Sequence, residues 1–398
     1  MVMSVIESPS HMRKTADVIV IGGGPAGSAV ALRLAQQHFS VIQLERQPMT
    51  RPSPDRLRSG EGLIPMTLRE LDALGIETRN PSWAFSQIQH MQVFWPDGTR
   101  TTNTIGKRGG VLQIDRIAFE TELVCAAKRA GAHVRQGWRA RQLHRTPNGS
   151  VAGVLVQPPD ARPPYIIRAP IVIDAGGRNA LSFREFNVRD TNLADNFFAM
   201  AMFFDRVASL VPDVWEMHFF DQQHLTAVQL SQFESGVVRC GLGWRGSMPR
   251  DQFRNSVEFF WDRIQHAPEL AQRLRHSQMI QRPYVRANIS YRVSQVTFDG
   301  LVLVGDATGY LNPLFGDGIL RALVTARWAT MVVATALQRG DCSRQALAPY
   351  EHRHRLRNWT DDVARRLIRQ GYRHPALLNR IGALRLVRHA LFTALMRS

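Results

Sequence analysis

A glycine-rich turn stands directly between an apolar strand and a helix near the start of the chain. Residues 17–21 read DVIVI, a continuous apolar run that is typical of a parallel strand buried on both faces. The hexapeptide GGGPAG follows at residues 22–27, and apolar positions at helical spacing continue over residues 28–37. A second apolar strand, SVIQL, lies at residues 40–44. Together these segments predict a β-α-β unit and therefore a parallel sheet covered by helices.

The spacing of the glycines indicates what this turn binds. Gly22, Gly24 and Gly27 fit the pattern G-x-G-x-x-G, in which the first glycine permits the tight turn and the second lets a pyrophosphate approach the backbone. The third lets the helix pack closely on the strand, and the N–H groups at the helix N-terminus attract phosphate. Glu45 follows Gly27 by 18 residues, at the end of the second strand, where a carboxylate accepts hydrogen bonds from ribose hydroxyls. These features predict a dinucleotide site.

A second glycine-rich element, about 280 residues further on, narrows the choice of dinucleotide. A strand at residues 301–304 ends in Gly305 and Asp306, and the segment FGDGI at residues 315–319 then opens an apolar helix. An acid at a strand end can bind a ribityl hydroxyl, and a helix N-terminus stabilises the negative charge that develops on a reduced flavin ring. The alternative for Asp306 is a helix N-cap. NAD enzymes do not need this element, so the pair predicts FAD.

The sequence resembles the FAD-binding superfamily that unites aromatic-ring monooxygenases, geranylgeranyl reductases and flavin-dependent halogenases. The resemblance runs from Asp17 to about Gln338 and is carried by GGGPAG with Glu45-Arg46, by Asp115-Arg116-x-x-Phe119, and by GDATGYLNPLFGDGI at residues 305–319. It implies that Glu45 holds the adenosine ribose, that Arg116 lies near the phosphate and ribose, and that Asp306 holds the ribityl-pyrophosphate. The implied cofactor-binding residues are Gly22, Gly24, Pro25, Ala26, Gly27, Glu45, Arg46, Arg116, Gly305, Asp306, Pro313, Gly316, Gly318 and Ile319.

The implied fold is α/β: a Rossmann-like FAD-binding parallel sheet of the glutathione-reductase type, an antiparallel-sheet substrate lobe and a C-terminal helical tail. Strand-like runs such as FFAMAMFFD and VWEMHFFD place the substrate lobe in the middle of the chain. The expected divisions are a flexible N-terminal tail at 1–15, the FAD-binding domain at 16–190 and 285–340, the substrate lobe at 191–284, and basic helices at 341–398.

Residues 58–65, RSGEGLIP, resemble an element of halogenases and of their non-halogenating monooxygenase relatives. The residues around this element indicate to which branch of the superfamily the chain is most similar. Halogenases carry a lysine just before it, whereas this chain has Arg56, Leu57 and Arg58, and arginine stays protonated at neutral pH. Their Trp-x-Trp-x-Ile-Pro signature is also missing. Geranylgeranyl reductases share the region around residues 312–319 but carry a cysteine where this chain reads SGE.

The resemblance therefore implies an FAD-dependent monooxygenase that hydroxylates or epoxidises an apolar, aromatic substrate. Reduction of C=C bonds in a lipophilic substrate, as in geranylgeranyl reductases, is the alternative, and halogenation is the less favoured one. Because the chain has a single G-x-G-x-x-G unit, NAD(P)H has no Rossmann site of its own. Electrons are expected from NAD(P)H or from reduced flavin delivered by a partner flavin reductase.

Few side chains stand out as catalytic candidates, since a flavin carries the oxygen chemistry itself. His218 lies between aromatic neighbours and could orient or deprotonate a ring, or serve only as a structural histidine of the sheet. Phe315 stands in the loop expected against the isoalloxazine ring, and Tyr291 and Arg239 are weaker candidates. Three distant cysteines exclude a disulfide scaffold and a Cys-pair metal site, so no metal is predicted.

The charge balance is strongly basic, with a formal net charge of +17. Residues 339–398 hold 13 arginines against four acids, and apolar residues recur at helical spacing over 376–397. Two interpretations remain: a helix docked on the FAD lobe, or one that lies on an anionic membrane or on an acidic carrier protein with a tethered substrate. Nucleic acid is disfavoured because no binding motif accompanies the arginines. We expect a cytoplasmic protein, with peripheral contact at the inner membrane face as a possibility, and no apolar run approaches roughly 18 residues.

Overall fold

The computed structural model describes residues 13–48, 61–94, 98–104, 110–160, 162–191, 197–211, 213–221, 226–232, 236–245, 254–281, 283–286, 289–309 and 318–373. The β-strands are β1 (Val18–Ile21), β2 (Val41–Glu45), β3 (Glu61–Leu63), β4 (Ala84–Ile88), β5 (His90–Phe94), β6 (Arg100–Thr104), β7 (Val111–Ile114), β8 (His133–Gln136), β9 (Arg139–Arg145), β10 (Val151–Gln157), β11 (Tyr165–Arg168), β12 (Ile171–Asp174), β13 (Arg189–Asp190), β14 (Phe197–Asp205), β15 (Val214–Asp221), β16 (Thr226–Gln232), β17 (Val238–Arg245), β18 (Gln278–Met279), β19 (Tyr284–Arg286), β20 (Arg292–Val293), β21 (Thr297–Phe298) and β22 (Leu301–Leu303). The α-helices are α1 (Pro25–Gln36), α2 (Pro65–Asp72), α3 (Arg116–Arg129), α4 (Leu181–Phe186), α5 (Ser256–Ile264), α6 (Pro268–Leu274), α7 (Gly318–Arg339) and α8 (Arg344–Arg373).

A mostly parallel sheet with the strand order β21-β22-β12-β1-β2-β8 forms the centre of the first lobe. Strand β1 pairs in parallel with β2 on one side and with β12 on the other, and all of its residues are buried. The predicted β-α-β unit is present, but its helix begins at Pro25 rather than at Ser28. The earlier start has a simple cause, because proline has a fixed φ and no N–H, which suits the first turn of a helix.

An eight-stranded sheet forms the second lobe, in the order β18-β14-β17-β16-β15-β5-β6, with β19 also pairing with β14. All described neighbours are antiparallel except β15 and β5, which run in parallel. One face packs on α5 and α6 through a core that includes Phe204 and Phe260. Strands β5 and β6 come from residues 90–104, which the expected divisions place in the FAD-binding domain. Strand pairing joins them to the second lobe instead.

A separate apolar cluster joins the two lobes. Leu320 and Val324 of α7 pack there with residues of β4, β5 and β7, and the cluster is flanked by Trp215, Met217 and Phe219 of β15. These side chains come from the second sheet, from the three-stranded sheet β3-β7-β4 and from a helix of the first lobe. Their packing therefore holds the two large sheets in one position relative to each other. The face of the second sheet that looks toward the first lobe is therefore partly covered and partly open.

The ends of the described chain differ from the expected divisions. Thr15 forms a parallel bridge with Arg168, and the Arg168 N–H donates to the Lys14 carbonyl at 2.9 Å, so the chain joins a sheet before residue 16. At the other end, α8 begins at Arg344, three residues into the expected helical segment 341–398. The basic segment at 376–397 lies outside the described residues.

Helix α7 is long enough and apolar enough to cross a membrane by length and composition, which no run in the sequence suggested. It is the single helix of this kind in the part of the chain that the structure describes. However, 72% of its most apolar window is buried within the protein. Its apolar residues pack against α1, α2 and α8, so burial in the core accounts for its composition.

Candidate cofactor and substrate site

A cavity of about 1020 Å³ lies between the two sheets, at the carboxyl ends of the parallel strands. Its volume is at the upper end of the range of roughly 300–1,000 Å³ that is usual for small-molecule sites. One wall is formed by the turns after β1, β2, β12 and β22, and the opposite wall by β14, β15 and β17. The cavity has room for a large cofactor along one wall and a second molecule against the other.

Of the three motif glycines after β1, Gly22 and Gly27 are required by close packing, whereas Gly24 leaves open space in the cavity. Gly22 has φ of +110°, and a Cβ there would lie 2.4 Å from the Ala175 carbonyl oxygen. A Cβ on Gly27 would lie 2.2 Å from the carbonyl oxygen of Gly22. A Cβ on Gly24 would meet nothing within 4 Å, although this residue lines the cavity at the N-terminus of α1. The space above Gly24 fits a pyrophosphate group, which this helix end would attract.

Glu45 is held firmly at the edge of the cavity. The Gly23 N–H donates to its Oε2 at 2.6 Å, and the Gln47 N–H donates to its Oε1 at 2.8 Å. Glu45 is buried, and it lines the cavity beside Arg46. Its carboxylate therefore fixes the glycine turn as well as facing the space where a ribose would lie, and that second role stays a prediction.

The two glycine-rich elements meet in space. Gly305 has φ of +63°, and a Cβ on it would lie 2.7 Å from the Cβ of Ala26 at the start of α1. This close approach sets Asp306 at the cavity beside the first glycine turn. Tyr291 is fully buried and donates from its hydroxyl to the Asp306 carbonyl oxygen at 2.6 Å, which fixes the second turn. Burial raises the pKa of the Tyr291 hydroxyl, so it acts as a neutral donor.

The DR element of the sequence begins helix α3. Asp115 is its N-cap, and one Asp115 oxygen accepts from the Ile117 N–H at 2.9 Å and from the Ala118 N–H at 3.0 Å. Arg116 lines the cavity and donates from Nε to Glu120 at 2.7 Å. The cap thus fixes the direction in which the helix starts, and the carboxylate of Glu120 steadies the arginine at the cavity edge.

The sequence interpretation missed a third turn of the first wall. Asp174 ends β12 fully buried and accepts from the Gly176 N–H at 3.0 Å and the Ser182 N–H at 2.8 Å. Burial raises the pKa of Asp174, and these amide hydrogen bonds partly oppose the rise. Beyond it, Arg178 and Arg189 line the cavity, with the Arg189 guanidinium 4.4 Å from the Tyr291 ring centroid. The segment DAGGR after an apolar strand was the available signal.

The remaining predicted cofactor residues divide by position. Gly318 and Ile319 begin helix α7, and both line the cavity. Pro313, Phe315 and Gly316 lie outside the described residues, so their predicted places beside the flavin ring stay predictions.

The structure corrects the predicted role of His218. Side chains alternate along β15, so that Trp215, Met217 and Phe219 line the cavity while Glu216 and His218 lie on the other face. There the His218 Nε2 lies 2.9 Å from Glu216 Oε2 and its ring stacks on another aromatic ring at 4.0 Å between centroids. His218 is a structural residue of the sheet and does not reach the cavity.

Small residues form another part of the second wall, on β14 and β17, which β16 separates from β15. Ala199 and Ala201 of β14 pair with Gly243 and Gly241 of β17, and all four line the cavity. None of them carries more than a methyl group, so the sheet surface is flat at Ala199, Ala201 and Gly243, whereas the Arg239 guanidinium lies over Gly241. A planar apolar molecule can lie on this flat part of the surface.

Metal chemistry has no visible centre in this part of the chain. Among the described residues, no three His, Cys, Asp or Glu side chains lie together in a way that could hold a metal ion. The cavity is instead lined by seven arginines and three carboxylates, counting described residues. This charge distribution suits a phosphate-rich cofactor.

The parallel sheet carries a phosphate-binding glycine turn and an acid at the end of its second strand. A second turn, with a glycine and an acid, packs against its first helix. Together these features define a flavin-dependent oxidoreductase. The family model described as "FAD binding domain" matches residues 15–362, and the chain belongs to this family. Its cofactor is FAD, as predicted, and the predicted fold class and superfamily are confirmed. The residues described above fit FAD, with Gly24 open to its pyrophosphate.

Two kinds of relatives are similar to the chain at the level of sequence. A 1H-pyrrole-2-carbonyl-[peptidyl-carrier protein] chlorinase from Pseudomonas fluorescens is 27% identical over 379 residues, covering 87% of this chain and 82% of the relative. A digeranylgeranylglycerophospholipid reductase from Thermoplasma acidophilum is 27% identical over 361 residues, covering 87% of this chain and 86% of the relative. The chain is thus about as similar to a halogenating enzyme as to a reducing one.

Solved structures show the same fold. The flavin-dependent brominase Bmp2 matches with a TM-score of 0.76 at 19% identity, covering 96% of this chain and 93% of that structure. A geranylgeranyl bacteriochlorophyll reductase-like protein from Thermoplasma acidophilum matches with a TM-score of 0.71 at 24% identity, covering 88% and 87%.

Proposed function

We propose that this FAD-dependent oxidoreductase is a monooxygenase that hydroxylates or epoxidises an apolar, aromatic substrate. The observation that carries the proposal is the wall of β15, where Trp215, Met217 and Phe219 line the same cavity as the glycine turn. Stacked and edge-on ring contacts with such side chains favour a flat aromatic molecule. Bound FAD supplies the electron transfer and the activation of oxygen.

The protein's own part in this reaction is to bind, to orient and to exclude water. The small residues of β14 and β17 give the substrate a flat surface, and the apolar cluster between the lobes packs against the cavity-lining Trp215, Met217 and Phe219. Helix α7 begins at the cavity with Gly318, so the positive end of its dipole faces the cofactor wall. This helix end would stabilise negative charge on a reduced flavin.

The lysine content argues against halogenation as the main activity. Halogenases in the family this chain resembles hold the oxidised halogen on a lysine, and this chain has three lysines in all. Lys14 lies 5.6 Å from the centroid of the Tyr165 ring, Lys128 is exposed in the last turn of α3, and neither lines the cavity. Lys107 lies outside the described residues. Arginines of the cavity cannot replace a neutral amine, because their guanidinium groups stay protonated.

Labelled oxygen tests the proposal directly. We expect holoenzyme supplied with NAD(P)H or with reduced flavin from a flavin reductase to convert members of an aromatic panel into products that carry one oxygen-18 atom from labelled O₂, as read by mass spectrometry. Bromide and chloride are included in the mixture, so that a halogenated product, if formed, is seen in the same spectrum. A product labelled from water, or one that contains halogen and no new oxygen, contradicts monooxygenation.

A second candidate is reduction of C=C bonds in a lipophilic substrate. It is supported by the similarity to the digeranylgeranylglycerophospholipid reductase and by the flat surface of Ala199, Ala201 and Gly243, which suits an extended chain as well as a ring. A product that gains two hydrogen atoms and no oxygen under the same conditions assigns the protein to this class.

A carrier-tethered substrate is the corresponding proposal for partners. The chlorinase relative acts, by its name, on a pyrrole-carbonyl group attached to a peptidyl-carrier protein. An acidic carrier would be attracted by the basic surface of this chain, whose net charge is +17. Binding to an acidic carrier or to anionic vesicles should weaken as salt is raised.

Glu45 offers a test of the cofactor site that needs no substrate. We expect Glu45→Ala to lower the affinity for FAD by about tenfold or more, because the predicted hydrogen bond from the ribose to this charged group contributes about 1.5–3 kcal/mol. The Gly23 and Gln47 amides that shape the glycine turn also lose their acceptor. Flavin fluorescence in a titration of apoprotein measures the change. Glu77→Ala, at an exposed position away from the cavity, is the control. Equal FAD affinity in the Glu45 variant and the control contradicts the role of Glu45.

A further inference from the structure

The indole of Trp215 spans the distance between two sheets at the cavity. Trp215 belongs to β15 of the second sheet and Gly62 to β3 of the three-stranded sheet β3-β7-β4, and both residues line the cavity. A Cβ on Gly62 would lie 3.3 Å from Cη2 and 3.6 Å from Cζ2 of Trp215, which are atoms at the outer edge of the indole. The side chain therefore reaches from its own strand to the backbone of β3.

Trp215 also packs against the apolar cluster between the lobes. In this cluster Val111 is fully buried, and Leu320 and Met91 are nearly so. Met91 is the partner of Trp215 in the pairing of β5 with β15. Because Trp215 is half-buried, lines the cavity and contacts this cluster, its indole lies between open space and a close-packed core. A molecule in the cavity meets the indole before it can reach these apolar side chains.

The absence of a side chain at Gly62 determines where the indole lies. The distance of 3.3 Å from a Cβ at this position to the Trp215 ring is shorter than the optimal separation of about 3.5–4.0 Å between carbon atoms. The same Cβ would lie 2.5 Å from Cγ1 of Val111. A methyl group at position 62 would therefore displace the indole, and the glycine allows it to lie against β3.

We propose that Trp215 is a specificity-determining residue that limits the length of the aromatic substrate, and that Gly62 is the positioning residue for its indole. The inference rests on the proposed function for the use of this cavity. It narrows the substrate from apolar aromatic compounds in general to those short enough to end at the indole. A compound that carries a further ring in line collides with the indole, because the core on its other side has no free space.

Binding of matched compounds to oxidised holoenzyme tests the proposal without turnover. Phenol, pyrrole and indole are each compared with the analogue that carries one more phenyl ring, namely 4-phenylphenol, 2-phenylpyrrole and 2-phenylindole, and the flavin absorbance spectrum is the readout. We expect the parent to bind the shorter member of at least one pair at least about tenfold more tightly. Trp215→Ala should reverse this preference, because the added ring fills the space that the indole leaves.

Two further variants make the result specific to this side chain. Trp215→Phe retains a ring, so its preference should lie between those of the parent and Trp215→Ala, and it carries the test if Trp215→Ala does not retain FAD. Trp359→Ala removes an exposed tryptophan of α8 and should leave every affinity unchanged. Equal binding of both members of every pair by the parent, or the same preference in the parent and in the Trp215 variants, overturns the proposal. If none of the six compounds binds to any of these proteins, the aromatic substrate class is contradicted, and this proposal with it.

Gly62→Ala tests the coupling between the two positions. Its methyl group should weaken binding of the shorter compound by about threefold or more in the parent, within the range for residues in contact, and should have no such effect in Trp215→Ala. The contact with Val111 is present in both backgrounds and cancels in this comparison. Additive effects of the two substitutions would show that Gly62 does not position the indole. Because no oxygen chemistry enters these assays, their failure leaves the labelling experiment untouched, and the reverse also holds.

Discussion

Protein that carries Gly24→Val should fold normally and purify without flavin. Gly24 is the N-cap of α1, with φ of −76° and ψ of −176°, a conformation that valine adopts readily. A Cβ there meets no protein atom within 4 Å, so we expect the substitution to leave the fold intact. It would fill the space above the helix N-terminus where the pyrophosphate of FAD approaches the backbone. The flavin absorbance per protein chain and the far-ultraviolet circular dichroism measure the two effects.

Gly27→Val is the matched comparison in the same turn. Its Cβ would lie 2.2 Å from the Gly22 carbonyl oxygen, so this variant should lose secondary structure as well as flavin. The contrast separates a cofactor contact from a packing requirement within three residues of chain. Retention of normal FAD content by Gly24→Val would place the pyrophosphate elsewhere.

Arg273→Met should be the most destabilising single change in the second lobe. The guanidinium of Arg273 binds both oxygens of the buried Glu216, at 2.5 and 3.0 Å, and Glu216 also contacts His218. Removing one partner of a buried ion pair leaves an uncompensated charge and costs about 3–5 kcal/mol. Urea unfolding of the apoprotein measures the loss, with the exposed Arg275→Met as control. The double variant Arg273→Met with Glu216→Gln should recover part of it, since no buried charge remains.

The same cluster predicts how the loss depends on pH. Burial alone would raise the pKa of Glu216, but hydrogen bonds from His218 and Arg273 outweigh it and hold the pKa below its ordinary value of 4.5. A carboxylate with a lowered pKa in the folded state contributes stability above its unfolded pKa, and this contribution is lost as the pH falls through the folded value. The difference between parent and Arg273→Met should therefore be full above about pH 5 and shrink below pH 4.5. A constant difference across this range would show that Glu216 does not carry the effect.

Local signals were enough to predict the glycine turns and Glu45, which line one cavity, while their contacts with FAD stay predictions. The glycine turn, Glu45 and the Gly305-Asp306 turn each depend on a strand and the residues directly after it, and the carboxyl ends of parallel strands meet at one edge. The two glycine-rich elements are about 280 residues apart in sequence, and they were expected at one site because FAD needs both. The sequence pattern did not indicate the close approach of Gly305 to Ala26, because this contact depends on how the helix and the turn pack.

The second wall was harder to predict, for reasons that lie in sheet geometry. His218 has aromatic neighbours in sequence, but adjacent residues of a strand face opposite sides, so those neighbours line the cavity and His218 does not. Its relation to Glu216, two residues away on the same face, was the signal available. The pairing of β5 with β15 joins residues more than a hundred positions apart, and strand propensity carries no information on such a partner.

That pairing limits how the specificity of this scaffold can be exchanged. The chain enters the second lobe twice, first for β5 and β6 and again for β14 to β19, so the lobe is not one continuous insertion. A chimera that receives residues 197–286 from a relative would carry β14, β15 and β17 of that relative. The edge of β15 would then pair with β5 of the host, whose sequence differs. An unmatched strand edge invites pairing with other chains. Transfer of substrate preference between family members should therefore succeed when residues 90–104 are exchanged together with residues 197–286.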